Sequence, residues 1–333
     1  LYYEGIKVNK DYSKAVEYFQ KAADLGVTTS FNQIGVLYFE GKHFKKDYSK
    51  SLEYLKKACE FGVPISFNNV GYFYEAGLEV KQDYSKAIEY YEKSISLDCP
   101  SAMDSLGNLY LSGKGVKQDY NKAIELYQKG VEYGSSDSFI FLGNAYLNGN
   151  GVKKDANKAI EYYSKAAERE NPDGFYKLGT AYRDGKGVEQ DYSKAIEYFK
   201  KSAEFDYAPA INAIGLLYFQ GKGFEQNYEK SNEYYQKAID LGNCHSYYNL
   251  AENYKEGKGV KQNYSKAIEL YEKAGILGFS ESYYQIGNLY EKGTGIKQDC
   301  TKAIEYYQKA GDNGYPSGYH QIGYLYDIGK GVK

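Results

Sequence analysis

A lysine every thirty-six residues constrains this chain more than any other feature. Lys14, Lys50, Lys86, Lys122, Lys158, Lys194, Lys230, Lys266 and Lys302 keep that step without a slip. Tyrosine keeps it from Tyr2 through Tyr38 and Tyr74 to Tyr326, and glycine from Gly5 through Gly41 and Gly77 to Gly329. A fixed period of this length belongs to a repeat array, where each repeat buries its apolar face only against its neighbours. It outweighs the length-based expectation of about two globular domains. The expected organisation is one array of about nine repeats over residues 1–333. Leu1 falls inside a first helix and Lys333 just past a loop, so the array is expected to be truncated at both ends.

One period, Ser66 to Pro100, shows what each repeat folds into. Ser66, Phe67, Val70, Gly71, Phe73, Tyr74 and Gly77 have the spacing of a helix with one packed stripe. Asp83 then precedes a second periodic run through Ala87, Ile88, Tyr90, Tyr91, Ser94 and Ile95. Aspartate is a strong N-cap because its carboxylate accepts from the free N–H groups of the first turn. Asp11, Asp47, Asp119, Asp155, Asp191 and Asp299 share this phase, with Asn227 and Asn263 as equivalents. The repeat therefore reads as an antiparallel pair, a first and a second helix.

Glycine has two roles in that pair. Gly41 and Gly113 are expected to close the first helix in a left-handed conformation. Gly35, Gly71, Gly107 and their equivalents lie inside it, where glycine costs about 1 kcal/mol against alanine. Close approach of the small Ala/Ser positions of the partner helix is the expected compensation. Tyr18, Tyr54 and Tyr90, with Phe19, Tyr91 and Tyr127 beside them, are expected to form two packed core phases. Glu17, Glu53 and Glu89 precede Lys21, Lys57 and Lys93 by four residues, the favourable order for ion pairs on a solvated helix face.

Composition narrows the function. The net charge is -2 and only Arg169 and Arg183 are arginines, which argues against nucleic-acid recognition. No apolar run approaches ~18 residues, so membrane insertion is not expected. Cys59, Cys99, Cys244 and Cys300 occupy four different phases and read as free thiols, which leans toward a reducing compartment. His43, His245 and His320 have no partner at metal-ligand spacing. The loop Gly113-Lys114-Gly115-Val116 recurs as a turn rather than as a phosphate cradle. No catalytic residue, metal or cofactor is expected.

The string L-G-x-L-Y-x-x-G-x-G-V-x-x-D-Y-x-K-A-x-x-x-Y-x-K, seen from Leu106 onward, resembles the Sel-1-like repeat, a relative of the tetratricopeptide repeat. The resemblance covers the whole chain. It implies an all-α, right-handed superhelical solenoid whose first helices line a concave face. It also implies a non-catalytic adaptor, as in membrane-protein quality control or bacterial signalling and virulence. Lys7, His43 and Glu79 replace the second loop glycine, so those loops are expected to differ in shape. Asp98, Glu170 and Asp206 replace the inter-repeat glycine.

Function is then expected where the repeats disagree, on the outward stripe of the first helices. Its candidates are Asn32, Asn68, Asn69, Tyr72, Asn108, Ile140, Phe141, Asn144, Tyr176, Asn212, Tyr248, Asn249, Tyr284 and Asn288. Asparagine is a poor helix former, so its density here calls for a reason. One reading is an amide ladder for the backbone of a peptide or partner protein, with an apolar anchor near Ile140, Phe141 and Leu147. The other is a merely polar face. A structural array that assembles with itself end to end into a filament is the alternative function.

Overall fold

The computed structural model describes residues 11–41 and 45–330. Leu1 to Lys10, with Tyr2, Gly5 and Lys7, lie outside the described residues, as does His43. Eighteen helices and no strand occur among those described, and the fold is all-α. They fall into two compact units divided between Arg169 and Glu170.

Unit 1 runs α1 (Tyr12–Asp24), α2 (Thr29–Glu40), α3 (Tyr48–Glu60), α4 (Pro64–Ala76), α5 (Tyr84–Ile95), α6 (Pro100–Ser112), α7 (Tyr120–Glu132), α8 (Ser136–Asn148) and α9 (Ala156–Glu168). Its first helices are the even-numbered ones. Each packs most closely on the second helix that follows it, α2 on α3 through α8 on α9, and α4, α6 and α8 touch in sequence. Unit 2 runs α10 (Pro172–Asp184), α11 (Tyr192–Ala203), α12 (Ala208–Gln220), α13 (Tyr228–Asp240) and α14 (Cys244–Glu256). It continues through α15 (Tyr264–Ile276), α16 (Glu281–Lys292), α17 (Cys300–Asp312) and α18 (Ser317–Asp327) with the same pairing. No helix among the described residues is long and apolar enough to cross a membrane.

The caps explain why the boundaries recur. Asp47, Asp83 and Asp119 accept from the N–H of Lys50, Lys86 and Lys122 at 2.9–3.1 Å, and Asn227 and Asn263 do the same for Lys230 and Lys266. The first helices α2 to α16 end on a left-handed glycine, Gly113 at φ 71° for example, and α18 ends on Ile328. A loop glutamine fastens that end: Gln82 and Gln118 donate to the carbonyls of Glu75 and Leu111 at 2.9 and 2.8 Å. Glu79 keeps the left-handed backbone of the glycine it replaces, at φ 55°. Its loop therefore does not take a different shape at that residue; the surrounding bonds impose the conformation despite the cost to a residue with a Cβ.

The interior glycines Gly71, Gly107, Gly143, Gly179, Gly215 and Gly287 each face a ring, and Gly35 faces Leu55. A Cβ on Gly107 would stand 2.5 Å from the Tyr127 ring, and one on Gly71 would meet the Tyr91 ring at 2.6 Å and the Ala87 carbonyl at 3.2 Å. The close approach is thus made to an aromatic side chain and to the backbone of the small position together. Tyr91, Tyr127, Tyr163, Phe199, Tyr235, Tyr271 and Tyr307 are at most 2% exposed and form the core of their repeats, with Leu55 in the same place on α3.

The second aromatic phase is not core. Tyr18 is 52% exposed, and Tyr54, Tyr90, Tyr162, Tyr198, Tyr234 and Tyr306 are half-buried. Each of the last six stacks on a tyrosine of the first helix, Tyr90 on Tyr74 at 5.5 Å and Tyr306 on Tyr290 at 5.8 Å. Lysines close many of these stacks: Lys86 lies over Tyr74, Lys302 over Tyr290 and Lys309 over Tyr306, at 4.8–5.3 Å. The lysine that keeps the period is therefore half of a cation–π contact at Lys50, Lys86, Lys122, Lys158, Lys194, Lys230 and Lys302, worth about 0.5–1 kcal/mol at an exposed site. Glu–Lys pairs at i,i+4 add to the same face, Lys21–Glu17 at 2.6 Å and Lys57–Glu53 at 2.7 Å.

Candidate interaction face

The variable stripe divides into two rows with different duties. The first row ties a repeat to the next one. In unit 1, Asn32 is 6% exposed, and its Oδ1 accepts from Ser66 Oγ at 3.1 Å and Asn69 Nδ2 at 2.9 Å. Asn68 Oδ1 accepts from Ser105 Oγ at 2.9 Å. Asp104 holds the same place on α6, buried, with its carboxylate accepting from Ser135 Oγ at 2.6 Å and from Ser138 Oγ. In unit 2, Asn212 Oδ1 accepts from Ser246 Oγ at 2.8 Å and Asn249 Nδ2 at 3.0 Å. Asn32, Asn69, Asn212 and Asn249 are thus joining residues rather than an outward ladder.

These pairs are matched across thirty-four residues. Ser66, Ser138 and Ser246 follow Asn32, Asp104 and Asn212, whereas Ala210 and Gly318 follow Tyr176 and Tyr284. Two positions depart from the rule: Ala102 follows Asn68, which Ser105 answers instead, and behind Tyr248 Ser282 stands where a small apolar residue belongs. The Ser282 hydroxyl is buried and has no hydrogen-bond partner. Tyr248 instead donates to Glu281 Oε1 at 3.3 Å and packs on Phe279 at 4.9 Å. Ser282→Ala should therefore leave stability unchanged or raise it, whereas Ser66→Ala should cost about 1 kcal/mol, since a buried hydroxyl stabilises only when bonded. Urea unfolding of the two variants compares them directly; equal losses would show that the match has no energetic content.

The second row carries asparagines of another kind. Asn108 and Asn144 accept at Oδ1 from the hydroxyls of Tyr127 and Tyr163, at 2.8 Å each, whereas the Tyr307 hydroxyl donates to Glu291 Oε2 at 2.5 Å with the Asn288 amide beside it at 2.9 Å. Burial pushes the Tyr127 hydroxyl well above its ordinary pKa, so it stays a donor. With the oxygen engaged, the orientation of each amide is set. The Nδ2 groups of half-buried Asn108 and Asn144 make no bond to any described residue.

The aromatic candidates pack inward. Tyr176 lies against Phe199 and Tyr207 at 5.7 and 5.6 Å, and Tyr284 against Tyr307 and Tyr315 at 5.2 and 5.4 Å. Ile140 is 3% exposed and Phe141 stacks on Tyr127 of the preceding repeat at 5.0 Å, so these two side chains pack inward rather than frame an anchor. The opening lies elsewhere in unit 1, a cavity of about 340 Å³ between α2 and α4. Buried Leu55 and Phe73 form its floor, with Val36, Phe39 and exposed Tyr72 above them. Asn68, Asn69, Ser105 and Glu40 complete the lining. Asn68, Asn69 and Tyr72 were readable from the stripe; Phe39 and Glu40 belong to phases three and four residues further on, which vary as widely.

Charge is segregated between the first and second helices of unit 1. The first helices of unit 1 carry Glu40, Glu75, Asp104 and Asp137 and no lysine, arginine or histidine. Every second helix of the unit carries lysines. The cysteines add no chemistry here: all four are free, and burial pushes the Cys59 thiol up to about 12. No cluster of three or more His, Cys, Asp or Glu able to hold a metal occurs among the described residues.

Helix pairs on a strict period, each capped alike and each joined only to its neighbours, define a helical-repeat protein of the tetratricopeptide-like class. The Sel1 repeat model matches residues 1–27, 32–62, 68–99, 100–134, 140–171, 173–204, 208–243, 244–279, 280–315 and 316–333, and the chain belongs to the Sel1 repeat family. A Sel1 repeat protein from Oxalobacter formigenes is similar in structure, with 30% identity, a TM-score of 0.63, and coverage of 74% of this chain and 99% of that one. Yeast Tom70 shares the fold at 16% identity and a TM-score of 0.59, over 89% of this chain and 63% of its own. Pseudomonas aeruginosa PA5086 shares it at 22% identity and a TM-score of 0.53, over 64% and 81%. No curated protein sequence matches the chain. Sel1 and tetratricopeptide-like repeat proteins are generally protein-interaction scaffolds, and the Sel1 repeat family is typically non-catalytic.

Proposed function

We propose that this protein is a scaffold that holds an extended segment of a partner protein along the first-helix face. The observation that carries the reading is the fixed amide of Asn108 and Asn144, whose oxygen is engaged by a tyrosine and whose N–H groups are left over. An extended segment offers backbone carbonyls that need donors, and a donor already held in place loses little entropy on binding. Family membership supports the same reading at a coarser level, since repeats of this kind bind protein partners. In unit 2, Asn288 lies beside the Tyr307 hydroxyl, which donates to Glu291.

The test begins with unstructured twelve-residue peptides selected from a random display library against the whole chain. Asn108→Ala, Asn144→Ala and Asn288→Ala combined should weaken the selected peptides at least about tenfold, or 1.4 kcal/mol, with the helical circular dichroism unchanged. Tyr127→Phe, which releases the Asn108 oxygen, should give a smaller loss in the same direction. Unchanged affinity in the triple variant would overturn this placement of the site.

A further inference from the structure

We propose that Asn150 is a site of spontaneous deamidation, where the backbone nitrogen of Gly151 attacks the asparagine side chain and an aspartyl or isoaspartyl link results. The chain holds three Asn-Gly pairs, Asn148-Gly149, Asn150-Gly151 and Asn313-Gly314. Glycine favours the attack because it has no side chain to crowd the approach to its nitrogen. The fold separates the three pairs. Asn148 is the last residue of α8, and the Gly149 N–H donates to the Ala145 carbonyl at 2.8 Å. Asn313 is the C-terminal cap of α17, with its Nδ2 donating to the Lys309 carbonyl at 2.8 Å. The Gly314 N–H donates to the Gly311 carbonyl at 3.0 Å.

Asn150 lies in the loop beyond α8, where neither its side chain nor the Gly151 N–H bonds to any described residue. An N–H held by a carbonyl is slower to lose its proton, and a helical turn keeps the next nitrogen away from the side-chain carbon. Only Asn150-Gly151 escapes both restraints. The residue at this phase is lysine at Lys114, Lys186, Lys222 and Lys258, so the pair is a departure of one repeat from the pattern.

The chemistry needs only water. The Gly151 nitrogen gives up its proton and bonds to Cγ of Asn150 as the Cγ–Nδ2 bond breaks, and Nδ2 leaves as ammonia. The product is a cyclic succinimide, and water opens it at one of its two carbonyls. Breaking the bond from the nitrogen to Cγ gives aspartate. Breaking the bond from the nitrogen to the backbone carbonyl carbon gives isoaspartate, whose chain runs through Cβ and Cγ. Overall one water is consumed, and the ammonia takes the proton of the new carboxylic acid.

The two products differ in what they do to the fold. Gly151 rests on the start of α7: a Cβ there would stand 2.7 Å from Cβ of Tyr120 and 2.9 Å from Cδ1 of Ile124. Gly115 rests on Tyr84 in the same way. The isoaspartyl link adds one methylene to the backbone just before Gly151, and this contact has no slack to absorb it. The loop must lift, which loosens its hold on α7. Aspartate changes only the charge, in a loop that also holds Lys153 and Lys154.

The experiment ages the whole chain at neutral pH and body temperature and follows the Asn-Gly peptides by mass spectrometry, with fragmentation that locates each product and separates aspartate from isoaspartate. Asn150 should convert at least about tenfold faster than Asn148 or Asn313, a factor within reach of one retained hydrogen bond and a helical backbone. In urea the three should convert at comparable rates, because the protection disappears with the fold. The isoaspartyl fraction, isolated by ion exchange, should show faster hydrogen exchange at the end of α8 and the start of α7. Asn150→Asp, which carries the charge on an ordinary backbone, should exchange like the fresh protein, and Asn150→Lys should not age at this position. Asn150 converting no faster than the other two in the folded chain would overturn the assignment. An equal advantage in urea would trace it to local sequence rather than to the fold and overturn it as well. Unchanged exchange in the isoaspartyl fraction would overturn the loosening of α7 and leave the modification site standing.

Discussion

Asp104→Asn should make the protein more stable at neutral pH and flatten its stability between about pH 4 and 6. Asp104 is 6% exposed between α6 and α8, and burial raises its carboxyl to about 6, against hydrogen bonds from Ser135 and Ser138 that favour the charged form. The folded chain therefore holds this proton more tightly than the unfolded chain, whose carboxyl titrates near the ordinary 3.8. Stability is greatest below the unfolded value, falls as pH rises through the interval, and levels off above about 6. The shift of about two units corresponds to about 3 kcal/mol at pH 7. Asparagine removes the charge and fits the pattern already present, because Asn32 and Asn212 accept from Ser66 and Ser246 in the same way. Its Nδ2 could donate to Ser135 Oγ, which now donates to Asp104. Urea unfolding at pH 4, 5, 6 and 7.5 measures the difference. A wild-type stability that rises across this interval, with no gain in the variant, would show that the carboxylate is better compensated than its burial implies.

Truncating Tyr127 should be the costlier change. Its ring packs over Gly107 and against Phe141, and its hydroxyl reaches Asn108. Tyr127→Ala should cost about 3–5 kcal/mol, because no neighbouring backbone can close onto the cavity left behind. The protein supplies its own reference series at this phase, with Phe199 and Leu55 in equivalent places. Tyr127→Phe should accordingly cost about 1 kcal/mol, the bond to Asn108 alone, and Tyr127→Leu about 2 kcal/mol. The damage should be local, since a repeat contacts only its neighbours. Hydrogen exchange should show α6 and α7 opening before the rest of unit 1. A single cooperative transition shifted as a whole would mean that the repeats are coupled more strongly than nearest-neighbour packing provides.

What the sequence made legible is what depends on one segment at a time. The Asp83 cap, the left-handed Gly113 and the apolar stripe of α4 are each set by a few adjacent residues, and each was readable from them. Contacts that need the register of two helices were not. The lysine of the period was visible as a repetition, yet its reason, the Tyr74 ring beneath Lys86, exists only once α4 and α5 are side by side. Tyr90 and Tyr91 look alike in the pattern, but one ring is half-buried in a stack on Tyr74 and the other fully enclosed against Gly71. The asparagines show the same limit. Periodicity placed Asn32 and Asn108 on one stripe, and only the neighbouring hydroxyls of Ser66 and Tyr127 separate a joining amide from an available one.

The matched pairs along the first row bear on how such a gene can change. Repeats on a strict thirty-six-residue step are easy substrates for unequal crossing-over, which adds or deletes whole periods in register. Each new junction, however, brings together two residues that did not evolve side by side. A repeat that enters with Ser66 behind a tyrosine inherits the stranded hydroxyl now seen at Ser282, and one that enters with a small apolar residue behind an asparagine needs another donor, as Ser105 serves Asn68 beside Ala102. Joins that keep donor with acceptor and ring with glycine or alanine therefore cost least, and the join of Tyr248 with Ser282 is a costlier one that the chain carries. The order of repeats in this chain is a record of which joins were tolerated.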